Sequence, residues 1–178
     1  SNGCSSNDAI IVTVNTPVVA DAGLDVSICE GVSTTLTASG GTGYIWNTGA
    51  TTSSITVNPA STTTYTVTVS DGITSDSDAV IVTVNALPVA NAGPDVAIII
   101  GNSASLSASG GSTYLWSTGA TTASINVSPT STASYSVTVT ENGCSSVDDV
   151  LVTVNPLPVV ADAGLDVSIC EGVSTTLT

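Results

Sequence analysis

Residues 44–70 read YIWNTGATTSSITVNPASTTTYTVTVS, and residues 114–140 read YLWSTGATTASINVSPTSTASYSVTVT. The two stretches align without a gap at an offset of 70 residues. Both end in alternation. In the first, Tyr65, Val67 and Val69 fall on one side of an extended chain, and Thr64, Thr66 and Thr68 fall on the other. A side-chain period of two means a strand with one buried and one wet face. Ile55 and Val57 alternate in the same way with Ser54 and Thr56. Outside the stretch, Leu36 and Ala38 alternate with Thr35 and Thr37, and Val80, Val82 and Val84 share a face. Glycine-rich breaks (SGGTG, NTGA, SDG, ENG) separate these runs and carry turn chemistry. Short alternating strands between turns predict an all-β fold of antiparallel sandwiches.

The same comparison divides the chain. Residues 18–37 read VVADAGLDVSICEGVSTTLT, and residues 159–178 repeat them letter for letter at an offset of 141. The unit is therefore about 70 residues, and two kinds of unit, A and B, alternate. The reading places the tail of a B repeat at 1–16, an A repeat at 17–86, a B repeat at 87–157 and the start of another A repeat at 158–178. The junctions NTP (15–17), NALP (85–88) and NPLP (155–158) carry proline, which cannot extend a strand and stiffens a linker. A near-identical A repeat after one B repeat implies a longer parent chain.

Composition excludes whole classes of function. The 178 residues include no Lys, Arg or His and 14 acidic residues, for a formal net charge of −14. Nucleic-acid binding needs cations against phosphate, and this chain has none. A triad or a Schiff base needs a His or Lys that is absent. Paired carboxylates could hydrolyse glycosides, but the acidic residues here fall on turns of a unit too small for a deep cleft. No catalytic residue is assigned, and the chain is read as not an enzyme. No run of about 18 apolar residues is present, so no membrane span is predicted in this window. Valine, isoleucine and threonine dominate and aromatics make up only 3%, so the core must be largely aliphatic.

Four stretches carry a resemblance: PVANAGPDV (88–96), LSASGGSTYLWSTGA (106–120), YSVTVTENGC (135–144) and VLVTVN (150–155). They resemble the PKD-type family of immunoglobulin-like domains, and the resemblance covers the whole chain. It is similar above all to the repeats of giant surface and secreted proteins of Bacteroidetes bacteria, in which TGATT, YTVTV and NGC recur. The family's polar WDFGDG stretch is replaced here by WNTG and WSTG, so the scaffold carries over and that stretch does not. The resemblance implies head-to-tail sandwiches in extracellular or cell-surface stalks, adhesins and modules attached to secreted enzymes.

In that frame Trp46 and Trp116 sit on the third strand. Tyr65 and Tyr135 open a later strand, where a tyrosine corner would lie. These four residues read as core, against the alternative of an exposed aromatic platform for sugar.

The cysteines follow the repeat. Cys29 and Cys170 occupy one position in two A repeats, and Cys4 and Cys144 occupy another in two B repeats. Ile99 stands in B for the first kind, and Ile73 is taken to stand in A for the second, so a disulfide inside a repeat would set each Cys against an Ile. In an immunoglobulin-like topology the bottom of one repeat meets the top of the next. That favours a Cys29–Cys144 pair, with Cys4 and Cys170 finding partners outside the window. The rival set, Cys4–Cys29 and Cys144–Cys170, also matches like with like, and free buried thiols are the third reading. A disulfide implies an oxidising compartment.

Asp21, Asp25, Asp71, Asp76 and Asp78 are candidate Ca²⁺ ligands at the top of the A repeat, with Asp162 and Asp166 the counterparts of the first two. Glu141, Asp148 and Asp149 crowd the corresponding place in B. No EF-hand spacing is present, and the competing reading is a solvated acidic rim that needs no cofactor. The outward Ser and Thr rows, and the sequon at Asn126, are candidate glycan carriers set against ordinary strand propensity.

Two functions fit. One is a structural segment of an extracellular stalk, filament or adhesin, stiffened by inter-repeat contacts and disulfides. Its partners are neighbouring repeats of the same chain and further copies in a fibre. The other is an accessory carbohydrate- or protein-binding module of a secreted multidomain protein.

Overall fold

A computed structural model describes residues 2–4, 6–160 and 166–176. The described residues form twelve strands and no helix. The first six are β1 (Val26–Cys29), β2 (Thr34–Thr37), β3 (Gly43–Trp46), β4 (Ser54–Val57), β5 (Thr63–Ser70) and β6 (Ser75–Asn85). The second six repeat this order as β7 (Val96–Ile99), β8 (Ala104–Ser107), β9 (Thr113–Trp116), β10 (Ser124–Val127), β11 (Ala133–Glu141) and β12 (Cys144–Asn155). Two compact units are present: Ser1–Pro88 with Glu141–Ser145, and Val89–Thr140 with Ser146–Thr178. Compactness thus cuts the chain differently from the repeat period at one place, since the tip of the β11–β12 hairpin clusters with the first unit.

Each unit pairs a four-stranded sheet with a two-stranded one. In the first the orders are β1-β6-β5-β3 and β2-β4, and in the second β7-β12-β11-β9 and β10-β8. Sequence neighbours are thus split between two sheets, as in immunoglobulin-like sandwiches. Pairing is antiparallel with one exception per unit. β1 runs parallel to β6 with Val26 opposite Val82, and β7 runs parallel to β12 with Val96 opposite Val152. The chain reaches this parallel place by changing sheets. Asp21 first makes an antiparallel bridge with Ser39, beside β2. The segment then bends at Gly23, whose φ of 83° is open to glycine and strained for other residues. Asn91, Ser109 and Gly93 do the same in the second unit.

The alternation read from the sequence sorts the faces. Val67, Val69, Val80 and Val82 are fully buried together with Trp46, Leu36 and Ala22. Val137, Val139, Val150, Val152, Trp116 and Leu106 build the matching core. The outward face of the small sheet is all hydroxyl in unit 1. Thr35 faces Thr56 at 3.4 Å, and Thr37 faces Ser54 at 3.1 Å. Cross-strand hydroxyl pairs of this kind help hold register.

Candidate functional site

The Cys29 and Cys144 sulfurs are bonded at 2.00 Å with their Cα atoms 5.6 Å apart, closing a sequence separation of 115 residues. The bond lies inside the first compact unit, because that unit includes the hairpin tip Glu141–Ser145. Two local features bring the sulfurs together. Cys29 ends β1, where it lies opposite Asn85 of β6. Cys144 opens β12 after a two-residue turn in which Asn142 and Gly143 have φ of 48° and 79°. Positive φ at both central residues marks the type I′ turn that matches strand twist, and Asn-Gly is its favoured sequence. Asn85 then holds the tip. Its Nδ2 donates to the Asn142 carbonyl at 3.2 Å, while its own carbonyl accepts from Glu30 N at 2.9 Å. Each sulfur also lies 3.9 Å from a carbonyl, Cys29 near Gly143 and Cys144 near Asn85. These are contacts rather than hydrogen bonds, since a disulfide carries no S–H.

Cys4 and Cys170 are exposed free thiols. The rival set is therefore not formed: Cys29 is bonded to Cys144 rather than to Cys4, and Cys144 is not bonded to Cys170. One premise from the sequence also changes. Ser70 lies opposite Ser75 in the β5–β6 ladder, and Asp71 N donates to Thr74 O at 3.3 Å, so the A-type hairpin turns at Gly72-Ile73 as the B-type hairpin turns at Asn142-Gly143. Carried through the 70-residue offset, the residue in the register of Cys144 is Thr74, and Ile73 stands where Gly143 does. Ile73 is an exposed tip residue. The contrast of Cys with Ile holds at 29 and 99 and fails at the turn.

The five candidate calcium ligands are spread along the edge of unit 1, each engaged with backbone amides. Ala20 N donates to Asp76 Oδ2 at 2.9 Å, Ala22 N to Asp78 Oδ2 at 2.8 Å, and Val18 N to Thr74 Oγ1 at 3.3 Å. Ile81 N donates to Asp25 Oδ1 at 2.8 Å. Asp21 accepts from Gly23 N at 2.9 Å. Asp71 accepts from Ile73 N at 2.8 Å and Thr74 N at 2.7 Å. Alternate residues 18, 20 and 22 thus find acceptors on alternate β6-side residues 74, 76 and 78. Side-chain oxygens replace the carbonyls of a missing ladder, which satisfies amides that would otherwise be stranded.

The second unit shows what this arrangement requires. Asp148 accepts from Ala92 N at 2.8 Å, and Asp95 accepts from Leu151 N at 2.9 Å. At two positions a neutral group serves instead. Ser146 replaces Asp76 and accepts from Ala90 N at 3.1 Å, and Asn91 replaces Asp21 and accepts from Gly93 N at 2.8 Å. The geometry asks for an acceptor, whether charged or neutral. Among the described residues no three acidic, Cys or His side chains converge to hold a metal ion. Asp162 lies outside the described residues, and Asp166 is exposed.

Hydrogen bonding also sets the electrostatics. The Thr74 and Ile73 amides hold the Asp71 carboxyl below its ordinary value of 3.8. The Ala22 amide, followed by that of Ala79, does the same for Asp78. Amides that bond the ionised form favour it.

The aromatics face inward. Trp46 and Trp116 are each 1% exposed. Their indole N–H groups donate to the carbonyls of Thr52 at 2.9 Å and Thr122 at 3.0 Å. Tyr65 is buried, and Tyr135 is half-buried against the second core. The hydroxyl that returns to the backbone belongs to other tyrosines: Tyr44 donates to Gly41 O and Tyr114 to Gly111 O, both at 2.8 Å. A crevice of about 250 Å³ in unit 2, lined by residues such as Gly93, Pro94 and Val96, holds no titratable group.

No family model matches the chain, and no curated protein matches it. Among solved structures, the chain is similar to a three-domain immunoglobulin fragment of titin, an E-to-A mutated variant, at 15% identity and a TM-score of 0.46. That alignment covers 79% of this chain and 66% of the titin fragment. Immunoglobulin domains 1–4 of Sidekick-1 align at 12% identity and a TM-score of 0.44, covering 78% of this chain and 49% of that one. Extracellular domains 3–5 of Drosophila OTK align at 11% identity and a TM-score of 0.42, covering 74% and 59%. The chain thus spans about half to two thirds of the lengths of these structures.

Proposed function

We propose that this chain is a structural segment of an extracellular stalk, filament or adhesin, built from PKD-like repeats of the kind found in surface proteins of Bacteroidetes bacteria, and that it performs no catalysis. One observation carries the reading. The Cys29–Cys144 disulfide ties a residue of an A repeat to a residue of the following B repeat. A repeat protein normally depends on its nearest neighbours for stability. Here a covalent bond is added to that dependence, between two positions that each recur in the chain, at Cys170 and Cys4. The disulfide also supports an oxidising, extracellular location. The candidate ligands Asp21, Asp25, Asp71, Asp76 and Asp78 and the indoles of Trp46 and Trp116 are engaged with backbone partners, as expected of a scaffold.

Neighbouring repeats are the first partner, and further copies in a fibre are the second. Electron microscopy of the native material tests both. Fibres whose axial repeat equals one A–B pair are expected. Isolated globular particles that bind glycans would replace this reading with that of an accessory binding module.

A further inference from the structure

The Cys29–Cys144 bond sorts the backbone into two kinds of segment. Residues 30–143 lie inside a loop whose ends are held 5.6 Å apart at the Cα atoms, across a separation of 115 residues. Residues before Cys29 and after Cys144 lie outside it. The covalent path that skips the loop runs along β1 (Val26–Cys29), through the two sulfurs and along β12 (Cys144–Asn155). A strand rises about 3.3 Å per residue, and a fully extended chain reaches no more than about 3.6 Å. Neither strand therefore has slack to give. The path also leaves the first sheet where the backbone does. Cys29 lies opposite Asn85, the last residue of β6, in the parallel β1–β6 ladder. Asn85 in turn is bonded to the Asn142 carbonyl and to Glu30 N. Cys144 is 1% exposed and Cys29 is half-buried. That limits the access which exchange with an outside thiol requires.

We propose that the disulfide is a force bypass: tension on the chain passes from β1 to β12 through the two sulfurs, and residues 30–143 add no length under load. The proposal deepens the structural reading above and rests on it, because a stalk or filament is a body that bears tension. Without the bond the load takes another route. It enters at the amino end of β1 and leaves at the carboxyl end of β6. These strands run parallel and side by side, so the load shears one short ladder, from Val26–Val82 to Cys29–Asn85. The bonds of Ala20 N to Asp76 and Ala22 N to Asp78 add to its hold. In the second repeat the corresponding ladder runs from Val96–Val152 to Ile99–Asn155. Forced opening of such ladders is governed by the unfolding rate. A covalent path between the same two ends removes that dependence.

The test holds single molecules of the full chain, tethered by the two ends, under tension and reads their length. Cys4→Ser and Cys170→Ser leave one disulfide possible in each molecule. The oxidised molecule is expected to keep its length, apart from the straightening of residues before Cys29 and after Cys144. Adding a phosphine reductant should release residues 30–143 in steps that total about 400 Å. That length follows from a separation of 115 residues at about 3.5 Å each, starting from ends only 5.6 Å apart. The proposal is overturned if the oxidised molecule releases that length before the reductant is added. It is also overturned if the reduced molecule holds its length up to the tension that breaks the tether, since the ladders would then carry the load. A protease that cuts before aspartate places Cys29 on peptide 25–70 and Cys144 on peptide 95–147. Absence of that link before reduction removes the function reading as well, whereas a length held after the link is gone removes only this proposal.

Discussion

Gly40 and Gly110 show how closely single positions are constrained. Gly40 has φ of 108°, and a Cβ there would overlap the Val19 carbonyl oxygen. Gly49 has φ of 86° but opens on empty space. Gly49→Ala should therefore cost only the left-handed backbone, about 1–2 kcal/mol. Gly40→Ala should cost more, because the Ala20 segment must move and its bond to Asp76 goes with it. Urea denaturation of the two variants checks this, and equal losses would refute the steric part. Trp116 is constrained by polarity as well as volume. Trp116→Phe keeps most of the ring but leaves the Thr122 carbonyl without its donor. The expected loss is about 1–3 kcal/mol for the unsatisfied group plus the space left behind, and the same urea titration measures it.

At the scale of elements, the carboxylate edge of β6 is the distinctive feature. It fastens the segment before β1, which otherwise pairs through the isolated Asp21–Ser39 bridge just beyond β2. Because the folded-state carboxyl of Asp78 titrates below its ordinary 3.8, it contributes stability that is fully present above that value. The contribution is lost as pH falls through the lower folded value. Loss of net negative charge in acid relieves self-repulsion and acts in the opposite direction. Asp78→Asn separates the two, since an amide oxygen can still accept from Ala22 N without titrating. The stability lead of the wild type over Asp78→Asn should shrink between pH 6 and pH 2, read by chemical denaturation at each pH. A lead independent of pH would show that Asp78 acts only as a neutral acceptor. This edge was half legible. The sequence places Asp71, Asp76 and Asp78 around the last turn of the A repeat, and their crowding with Asp21 and Asp25 suggested a shared ion. It could not reveal that residues 18–22 lie alongside, because that neighbour is 56 residues away in the chain.

At the scale of the molecule, 14 acidic residues stand without a single Lys, Arg or His. No side-chain ion pair offsets their repulsion, so covalent and hydrogen-bonded constraints matter more. The disulfide closes a separation of 115 residues. The loop-entropy model assigns such a loop about 4–5 kcal/mol. Replacing both cysteines (Cys29→Ser with Cys144→Ser) should lower the melting temperature in calorimetry by at least several degrees. An unchanged melting temperature would mean that the cross-link does not constrain the unfolded chain. The hairpin tip explains which repeat supplies the bond. The B-type tip turns in two residues at Asn142-Gly143 and presents Cys144 at the first position of β12. The A-type tip turns in the same register at Gly72-Ile73, with Asp71 bonded across it to Thr74, and presents Thr74 there instead.

The amino-acid sequence by itself determined the strands, their inward faces, the repeat length and the exclusion of charge-dependent chemistry. These follow from local periodicity and composition, which need no knowledge of distant neighbours. It also carried the aliphatic core around Trp46 and Trp116, since burial tracks alternation. Only the tertiary structure decided the parallel place of the first strand, the conversion of the aspartates from candidate ligands into backbone acceptors, and which tyrosines bond back to the chain. In each case the deciding partner lies in another strand or across a turn, and its identity depends on register, which a one-residue change in loop length resets.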